Sequence, residues 1–155
     1  MIGRYGQLDL LYEGVYLRTY SALDASARKL VWLKTATSAH PGEADRLRLR
    51  QECELSAMFG HDGFPVFALQ GENGTSDAAV AENVHEGQTL RQWMSGRQAA
   101  ISLEAALECM IAIVRMLEQF HERRYVYHQL APEALWIVPD TSQIVPLDYG
   151  FVRKT

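Results

Sequence analysis

The feature that most constrains the fold is a long helix predicted in the second half of the chain. Ser102 is a typical N-cap residue, and Glu104 puts a negative charge in the first turn, where a helix N-terminus favours it. Arg123 and Arg124 close the pattern. Between these ends an apolar stripe continues for six helical steps, through Leu103, Leu107, Met110, Ile113/Val114, Leu117 and Phe120.

The first half of the chain has the pattern of strands with one helix inserted. Alternation predicts strands over residues 5–11 and 15–22, with a turn at residues 12–14, and residues 30–34 form a third, more buried strand. Residues 64–69 and 78–82 are two further strands, joined by the turn-rich residues 71–74. A helix over residues 43–58 precedes them and ends at the glycines of residues 60–63. Its neighbouring turns carry Leu47, Gln51, Glu54/Leu55 and Met58.

After a hinge near Glu86 and Gly87 the chain becomes mainly helical. A short helix over residues 90–94 precedes the long one. Residues 125–155 are predicted to form three short strands, separated by Pro132, by Pro139 with Asp140, and by Pro146.

Composition excludes several classes of protein. The length of 155 residues suits one domain, and 48% hydrophobic with 22% charged residues is globular rather than disordered or coiled-coil. A net charge of −4 is evidence against nucleic-acid binding, and no apolar stretch suggests a membrane span or a signal peptide. Cys53 and Cys109 lack the spacing of a zinc site, so two buried thiols and a cytoplasmic location are expected.

Six short motifs occur in the order found in protein kinases. Residues 31–34 read V-W-L-K, and Lys34 matches the phosphate-binding lysine of V-A-I-K. Glu52, eighteen residues later, lies in the predicted helix as the glutamate of kinase helix C does. Residues 81–90 resemble the kinase hinge, and residues 117–121 the helix that ends in L-x-x-L-H. Residues 127–135 align with H-R-D-L-K-P-E-N-I, and residues 148–150 read D-Y-G where kinases have D-F-G.

The chain therefore resembles the protein kinase superfamily over essentially its whole length. The resemblance implies an α+β fold in a single kinase-like domain, residues 1–155. A five-stranded antiparallel N-lobe with helix C would occupy residues 1–85. A truncated, mainly helical C-lobe would occupy residues 86–155 and end just after Asp148, Tyr149 and Gly150. Residues 10–20 are similar to the degenerate kinase-like domains at the N-terminus of bacterial multidomain sensor histidine kinases.

The aligned catalytic loop lacks the groups that phosphoryl transfer requires. Gln129 replaces the aspartate that accepts the proton, and a neutral amide cannot take that role. Ala131 replaces the lysine that neutralises the moving phosphate, and Ala134 replaces the asparagine that holds a second metal ion. We therefore expect no catalytic residue and no metal site.

The aligned nucleotide site is also altered. Of the three loop glycines only Gly14 remains. Lys34, Glu52 and Asp148 would persist as a vestigial cofactor site. Trp32 stands in place of the small ceiling residue above adenine, and Trp136 in place of the aliphatic floor. The resemblance implies that the two indoles fill the adenine space and that ATP and Mg²⁺ do not bind.

Structural alternatives stay open for these residues. Lys34 could be a surface lysine, and Glu52, close to Arg46, Arg48 and Arg50, a solvated helix charge. Asp148 could only cap a turn. A register shift by one residue would turn Trp32 and Trp136 away from the site. His121 and His128 are expected to be packing residues.

Kinases continue well beyond D-F-G, whereas this sequence stops five residues after Gly150. The chain is expected to be a fragment or a naturally minimal form, and its long helix to lack its usual cover. An apolar face left open in this way indicates an interface with a second copy, a protein partner or attached signalling domains. Nucleic acid and membrane are not expected partners.

Three functions follow from the resemblance. The first is a catalytically inactive module, a pseudokinase that acts in bacterial signal transduction by binding or allosteric regulation. The alternative is an unorthodox protein kinase of the Ser/Thr type that still binds ATP through Lys34, Glu52 and Asp148. A small-molecule phosphotransferase similar to aminoglycoside kinases is a third possibility, which Gln129 weakens equally.

Overall fold

A computed structural model describes residues 4–60, 63–70, 77–96, 100–139 and 143–155. The chain divides into two compact units, the first ending at Val84 and the second beginning at His85. The sequence predicts this division between residues 85 and 86. The turn predicted at residues 71–74 lies outside the described residues, as do His61 and Asp62 of the predicted helix end and Asp140.

Within its described residues, the first unit contains a five-stranded antiparallel sheet and one helix. The strands are β1 (Tyr5–Glu13), β2 (Leu17–Asp24), β3 (Lys29–Ala36), β4 (Ala68–Leu69) and β5 (Ala78–Ala81), in the spatial order β1-β2-β3-β5-β4. Helix α1 (Glu43–Phe59) lies between β3 and β4 in the chain. The predicted α+β class and five-stranded antiparallel sheet are confirmed.

The central strand β3 is buried on both faces. Because side chains alternate along a strand, Val31 and Leu33 share one face, where they pack with Tyr5, Ala22 and Val80 in the core of the sheet. The intervening residues, Trp32 and Lys34, point to the opposite face. A lysine is therefore placed inside the protein by the register of the strand.

Strand β4 is shorter than the predicted strand over residues 64–69. Among the described residues, Ala68–Leu69 is the part that forms a strand with β5, and side chains satisfy the backbone groups that precede it. Ser56 Oγ accepts the N–H of Phe67 at 2.9 Å. Asn83 accepts the N–H of Val66 at 3.0 Å and donates to the carbonyl oxygen of Phe64 at 3.1 Å.

The buried face of α1 differs from the predicted one. Leu47 and Met58 are exposed, and the buried residues are Leu49, Glu52, Ser56 and Phe59. Two of those four side chains are polar, so hydropathy alone selects the wrong face. The helix is oriented by the partners of Glu52 and Ser56 as well as by its apolar residues.

In the described residues of the second unit, two helices combine with two small sheets. Strand β6 (Gln88–Thr89) leads into α2 (Leu90–Ser95), which is followed by α3 (Leu103–Glu122). Four strands follow: β7 (Tyr125–Tyr127), β8 (Leu135–Val138), β9 (Gln143–Pro146) and β10 (Val152–Lys154). They form the sheets β6-β8-β9 and β10-β7, and Pro132–Ala134 forms one 3₁₀ turn.

The prediction of three strands after residue 125 is therefore wrong. Pro146 is the last residue of β9 and lies between β9 and β10, as predicted, because proline at the end of a strand removes no interior ladder hydrogen bond. The fourth strand, β10, pairs with β7 through Val152, Arg153 and Lys154.

Helix α3 has the predicted start. Ser102 Oγ accepts the N–H of Ala105 at 3.2 Å, and Arg123 caps the other end. The predicted apolar stripe is divided, however: Phe120 is buried in the core, whereas the residues of the first three turns face solvent. Within the described residues, no helix is both long and apolar enough to cross a membrane.

Candidate functional site

The first unit places Lys34 and Glu52 together in its interior. The Lys34 amino group on β3 forms an ion pair with the Glu52 carboxylate on α1, and the Lys34 side chain has no solvent exposure. The Lys34 Nζ also lies 4.8 Å from the centre of the Phe67 ring. The structural alternatives of a surface lysine and a solvated glutamate are wrong, because both side chains are buried. Buried charges require a partner of opposite charge, and here each residue supplies the other's.

A cysteine lies next to this ion pair. Burial raises the pKa of the Cys53 thiol to about 11, with Glu52 and Glu54 acting in the same direction and Lys34 opposing them. Cys53 and Cys109 are both half-buried rather than fully buried as expected. Burial also raises the pKa of Cys109. Neither environment favours the reactive thiolate.

The loop that aligns with the kinase glycine loop is closed by its own backbone. The Gly14 N–H donates to the carbonyl oxygen of Leu17 at 2.9 Å. The Thr37 N–H donates to the carbonyl oxygen of Tyr16, also at 2.9 Å, and the Arg48 guanidinium stacks 3.9 Å above the Tyr16 ring. The amide of the one remaining glycine is thus already hydrogen-bonded and is not directed at a ligand.

The second unit carries the positions that align with the catalytic loop. Gln129 is exposed, Ala131 is half-buried and Ala134 is buried in the 3₁₀ turn. Glu133, which the sequence did not single out, pairs with Arg91 of α2 at 2.7 Å. Hydrogen bonds from its own backbone N–H and from Arg91 lower the pKa of Glu133. This carboxylate is therefore a weaker base than a free glutamate.

Asp148 caps a turn. It is buried, and its Oδ1 accepts the N–H of Gly150 at 2.7 Å. Its carbonyl oxygen accepts the Tyr127 hydroxyl at 2.8 Å. Asp148 therefore has a turn-capping role, and its place in a vestigial cofactor site stays a prediction. Within the part of the chain that the structure describes, no three His, Cys, Asp or Glu side chains converge as a metal site would require.

Trp136 fixes the start of the second unit. Its indole N–H donates to the carbonyl oxygen of His85 at 3.2 Å. A Cβ on Gly87 would lie 2.1 Å from the carbonyl oxygen of Ile137 and 2.6 Å from the indole Nε1 of Trp136. Only glycine fits this approach, so the segment around Gly87 packs closely against β8.

Trp32 is buried in the first unit and shares a face of β3 with Lys34. Its backbone pairs with Ser21 and Ala81. The two tryptophans belong to different units, and the role predicted for them in filling an adenine site stays a prediction.

The histidines do not pack as expected. His121 at the end of α3 and His128 after β7 are both exposed. Each follows a buried aromatic residue, Phe120 or Tyr127, whose rings lie 5.5 Å apart between centroids. The aromatic pair supplies the packing that was assigned to the histidines.

An apolar pocket in the second unit was not apparent from the sequence. It has a volume of about 260 Å³ and is lined by Trp93, Ala105, Cys109, Ala112, Ile137 and Ile144, among others. These residues come from α2, α3, β8 and β9, so no local pattern indicates that they share a pocket.

Comparison with known proteins adds no assignment. No protein-family model matches the chain, and no curated protein matches its sequence.

Proposed function

We propose that this chain is a catalytically inactive kinase-like module, a pseudokinase that acts in signal transduction by binding a protein or regulating an attached domain. One observation carries the proposal. A buried Lys34–Glu52 pair accompanies a loop in which a neutral amide, Gln129, occupies the aligned position of the proton acceptor.

The ion pair supports the kinase-like part of the proposal. In protein kinases the lysine of the third strand pairs with a glutamate of the helix that follows it. Here Lys34 lies on β3 and Glu52 on α1, the next element in the chain. The five-stranded antiparallel sheet around them is the type of sheet that a kinase N-lobe contains.

The environment of the catalytic loop supports the inactive part. Phosphoryl transfer needs a carboxylate that accepts the hydroxyl proton of the substrate. Glu133, the loop's carboxylate, is already paired with Arg91, and its pKa is lowered. Asp148 uses one carboxylate oxygen to cap the turn at Gly150.

The amide of Gly14 supports the absence of nucleotide binding. Glycine loops bind phosphate through backbone N–H groups that are directed at the ligand. The Gly14 N–H is instead bonded to the carbonyl oxygen of Leu17. Phosphate would have to displace that hydrogen bond.

Retention of the ion pair does not require catalysis. Removal of one partner from a buried pair leaves an uncompensated charge at a cost of about 3–5 kcal/mol. Lys34 and Glu52 therefore have a structural reason to be kept after activity has been lost.

An unorthodox ATP-binding protein kinase is the second candidate. The observation in its favour is that the Lys34–Glu52 pair is intact and that Asp148 is present. This candidate requires binding of Mg-ATP, whereas the first predicts none.

Thermal unfolding of the whole chain with and without Mg-ATP separates the two candidates. A ligand at 100 times its dissociation constant adds about 2.7 kcal/mol of apparent stability, so binding would raise the Tm clearly. We expect no change in Tm and no transfer of labelled phosphate from ATP to the chain or to a general protein acceptor.

The matched variant is Asp148→Asn, because asparagine keeps an oxygen that can accept the Gly150 N–H but has no charge for a metal ion. A rise in Tm with Mg-ATP that is lost in D148N would overturn the inactive assignment and support the kinase.

A further inference from the structure

Helix α3 exposes a continuous row of large apolar side chains. Leu103 is 76% exposed and Val114 is 62% exposed, and between them Leu107, Met110 and Ile111 are also exposed. Leu103, Leu107, Met110 and Val114 are separated by four, three and four residues. This spacing is that of the seam of a coiled coil, in which apolar residues repeat every 3.5 residues.

The row lies opposite the face that α3 already uses in its own unit. Met116 and Phe120 are the buried residues of the helix. A helix that is apolar on both sides is normally covered on both sides. The row from Leu103 to Val114 is therefore a surface that is suited to another protein segment, and we refer to it as the α3 seam.

We propose that the α3 seam binds the α3 seam of a second copy of this chain, with the two helices antiparallel about a two-fold axis. In such a pair, contacts are reciprocal. Leu103 faces the partner's Val114, and Leu107 faces the partner's Met110. Both contacts occur in the same register. In an antiparallel pair, residues that face each other have a constant sum of residue numbers, and that sum is 217 for both contacts.

Charge complementarity favours this occupant and this direction. Glu104 and Arg115 flank the seam on the same side of α3, and both are exposed; Glu108, also exposed on this side, lies farther round the helix from the seam. In an antiparallel pair each flank meets the same flank of the other helix. The register set by the apolar contacts brings Glu104 near the partner's Arg115, and symmetry creates the ion pair twice. In a parallel pair each flank would meet the opposite flank of the other helix, so Glu104 would not lie beside the partner's Arg115.

The size of the seam determines the expected strength. From Leu103 to Val114 the helix rises about 17 Å at 1.5 Å per residue. A contact between two helix segments of this length is smaller than a standard protein interface, which buries about 800 Å² per partner. We therefore expect a reversible dimer with a dissociation constant in the micromolar range, independent of whether the proposed function is correct.

Sedimentation equilibrium of the whole chain from about 1 to 500 µM tests the proposal. We expect a monomer–dimer equilibrium in the wild-type chain and at least about a hundredfold weaker association for Leu107→Asp. The matched control is Leu47→Asp on α1, which is 52% exposed against 49% for Leu107 and lies off the seam. It should associate as the wild type does.

Charge reversal tests the direction and the identity of the occupant. Glu104→Arg alone and Arg115→Glu alone should each weaken the dimer about tenfold, and the two together in one chain should restore it. Far-ultraviolet circular dichroism of each variant should match the wild type, because both residues are exposed.

Three outcomes would overturn the proposal. These are a monomer over the whole concentration range, a dimer that Leu107→Asp leaves intact, and a dimer that the double reversal does not restore. The first would also be the result if the seam were reserved for a different protein or for an attached domain.

Discussion

Lys34 on β3 and Glu52 on α1 form an ion pair that is closed to solvent on both sides, with Lys34 fully buried and Glu52 2% exposed. The pair joins the central strand of the sheet to the only helix described in the first unit, and the ring of Phe67 lies against the lysine. Stability of the first unit should therefore respond strongly to loss of either charge.

Lys34→Met should destabilise the chain by about 3–5 kcal/mol, because the Glu52 carboxylate would stay buried after losing the positive charge of Lys34. The double variant Lys34→Met/Glu52→Leu should recover most of that loss. The measurement is chemical denaturation followed by circular dichroism. Lys29→Met is the matched control on the same strand, since Lys29 and Glu82 form an exposed pair at 3.6 Å and should matter by less than about 1 kcal/mol. Equal losses for the single and double variants would contradict the prediction.

Gly87→Ala should destabilise the second unit by roughly 1–3 kcal/mol. The added methyl group would meet the carbonyl oxygen of Ile137 at 2.1 Å, and a backbone atom held in β8 cannot move away as a flexible side chain could. Gly6→Ala is the control, because a Cβ there meets nothing within 4 Å. Thermal melts of the two variants should differ clearly in Tm, and similar values would count against this account of Gly87.

Acid should weaken the fold in part through Asp24 at the end of β2. Burial alone would raise the pKa of Asp24, but the N–H groups of Ala27 and Ser26 and the guanidinium of Arg4 outweigh it, so the pKa is lowered. A lowered pKa in the folded state stabilises the fold fully above the unfolded value of about 3.9, and this contribution is lost as the pH falls through the folded value.

Asp24→Asn should therefore show a smaller fall in the free energy of unfolding below about pH 4 than the wild type does. Urea denaturation at a series of pH values from about 6 to 2 measures this difference. The exposed Asp9→Asn is the control and should leave the pH profile unchanged. A D24N profile that runs parallel to the wild type would show that Asp24 does not carry the effect.

Cys53 should react slowly with alkylating reagents. Its pKa of about 11 compares with an ordinary value of 9.0, so the thiolate fraction at pH 8 is about a hundredfold lower than for a free thiol. Iodoacetamide labelling of the Cys109→Ser variant, followed by mass spectrometry, measures Cys53 by itself. Unfolding in guanidinium chloride should restore an ordinary rate. Rapid labelling of the folded variant would exclude the raised pKa.

Elements with a strong local signal could be predicted from the sequence. The Ser102 cap defines the start of α3, and a turn that contains Gly14 separates β1 from β2, although Tyr12 and Glu13, predicted in that turn, belong to β1. Five strand segments and one helix in the first half follow from such signals, whereas the resemblance to kinases implied that the strands form one antiparallel sheet. The aligned spacing of Lys34 and Glu52 also brought the right two residues together.

Features that depend on tertiary partners could not be predicted. The buried face of α1 includes Glu52 and Ser56, whose partners are Lys34 and the Phe67 backbone. The segment before β4 is held by Asn83 rather than by a strand. In each case a polar group from a distant part of the sequence determines the local structure, and the hydropathy pattern does not reveal that contact.

The complete enclosure of Lys34 also has a consequence for chemical proteomics. Acyl-phosphate probes modify lysines whose amino group can be reached, and the Lys34 amino group lies against a carboxylate and an aromatic ring with no exposed surface. Surveys that detect proteins by labelling such a lysine would not detect this chain through Lys34, even in extracts where it is abundant.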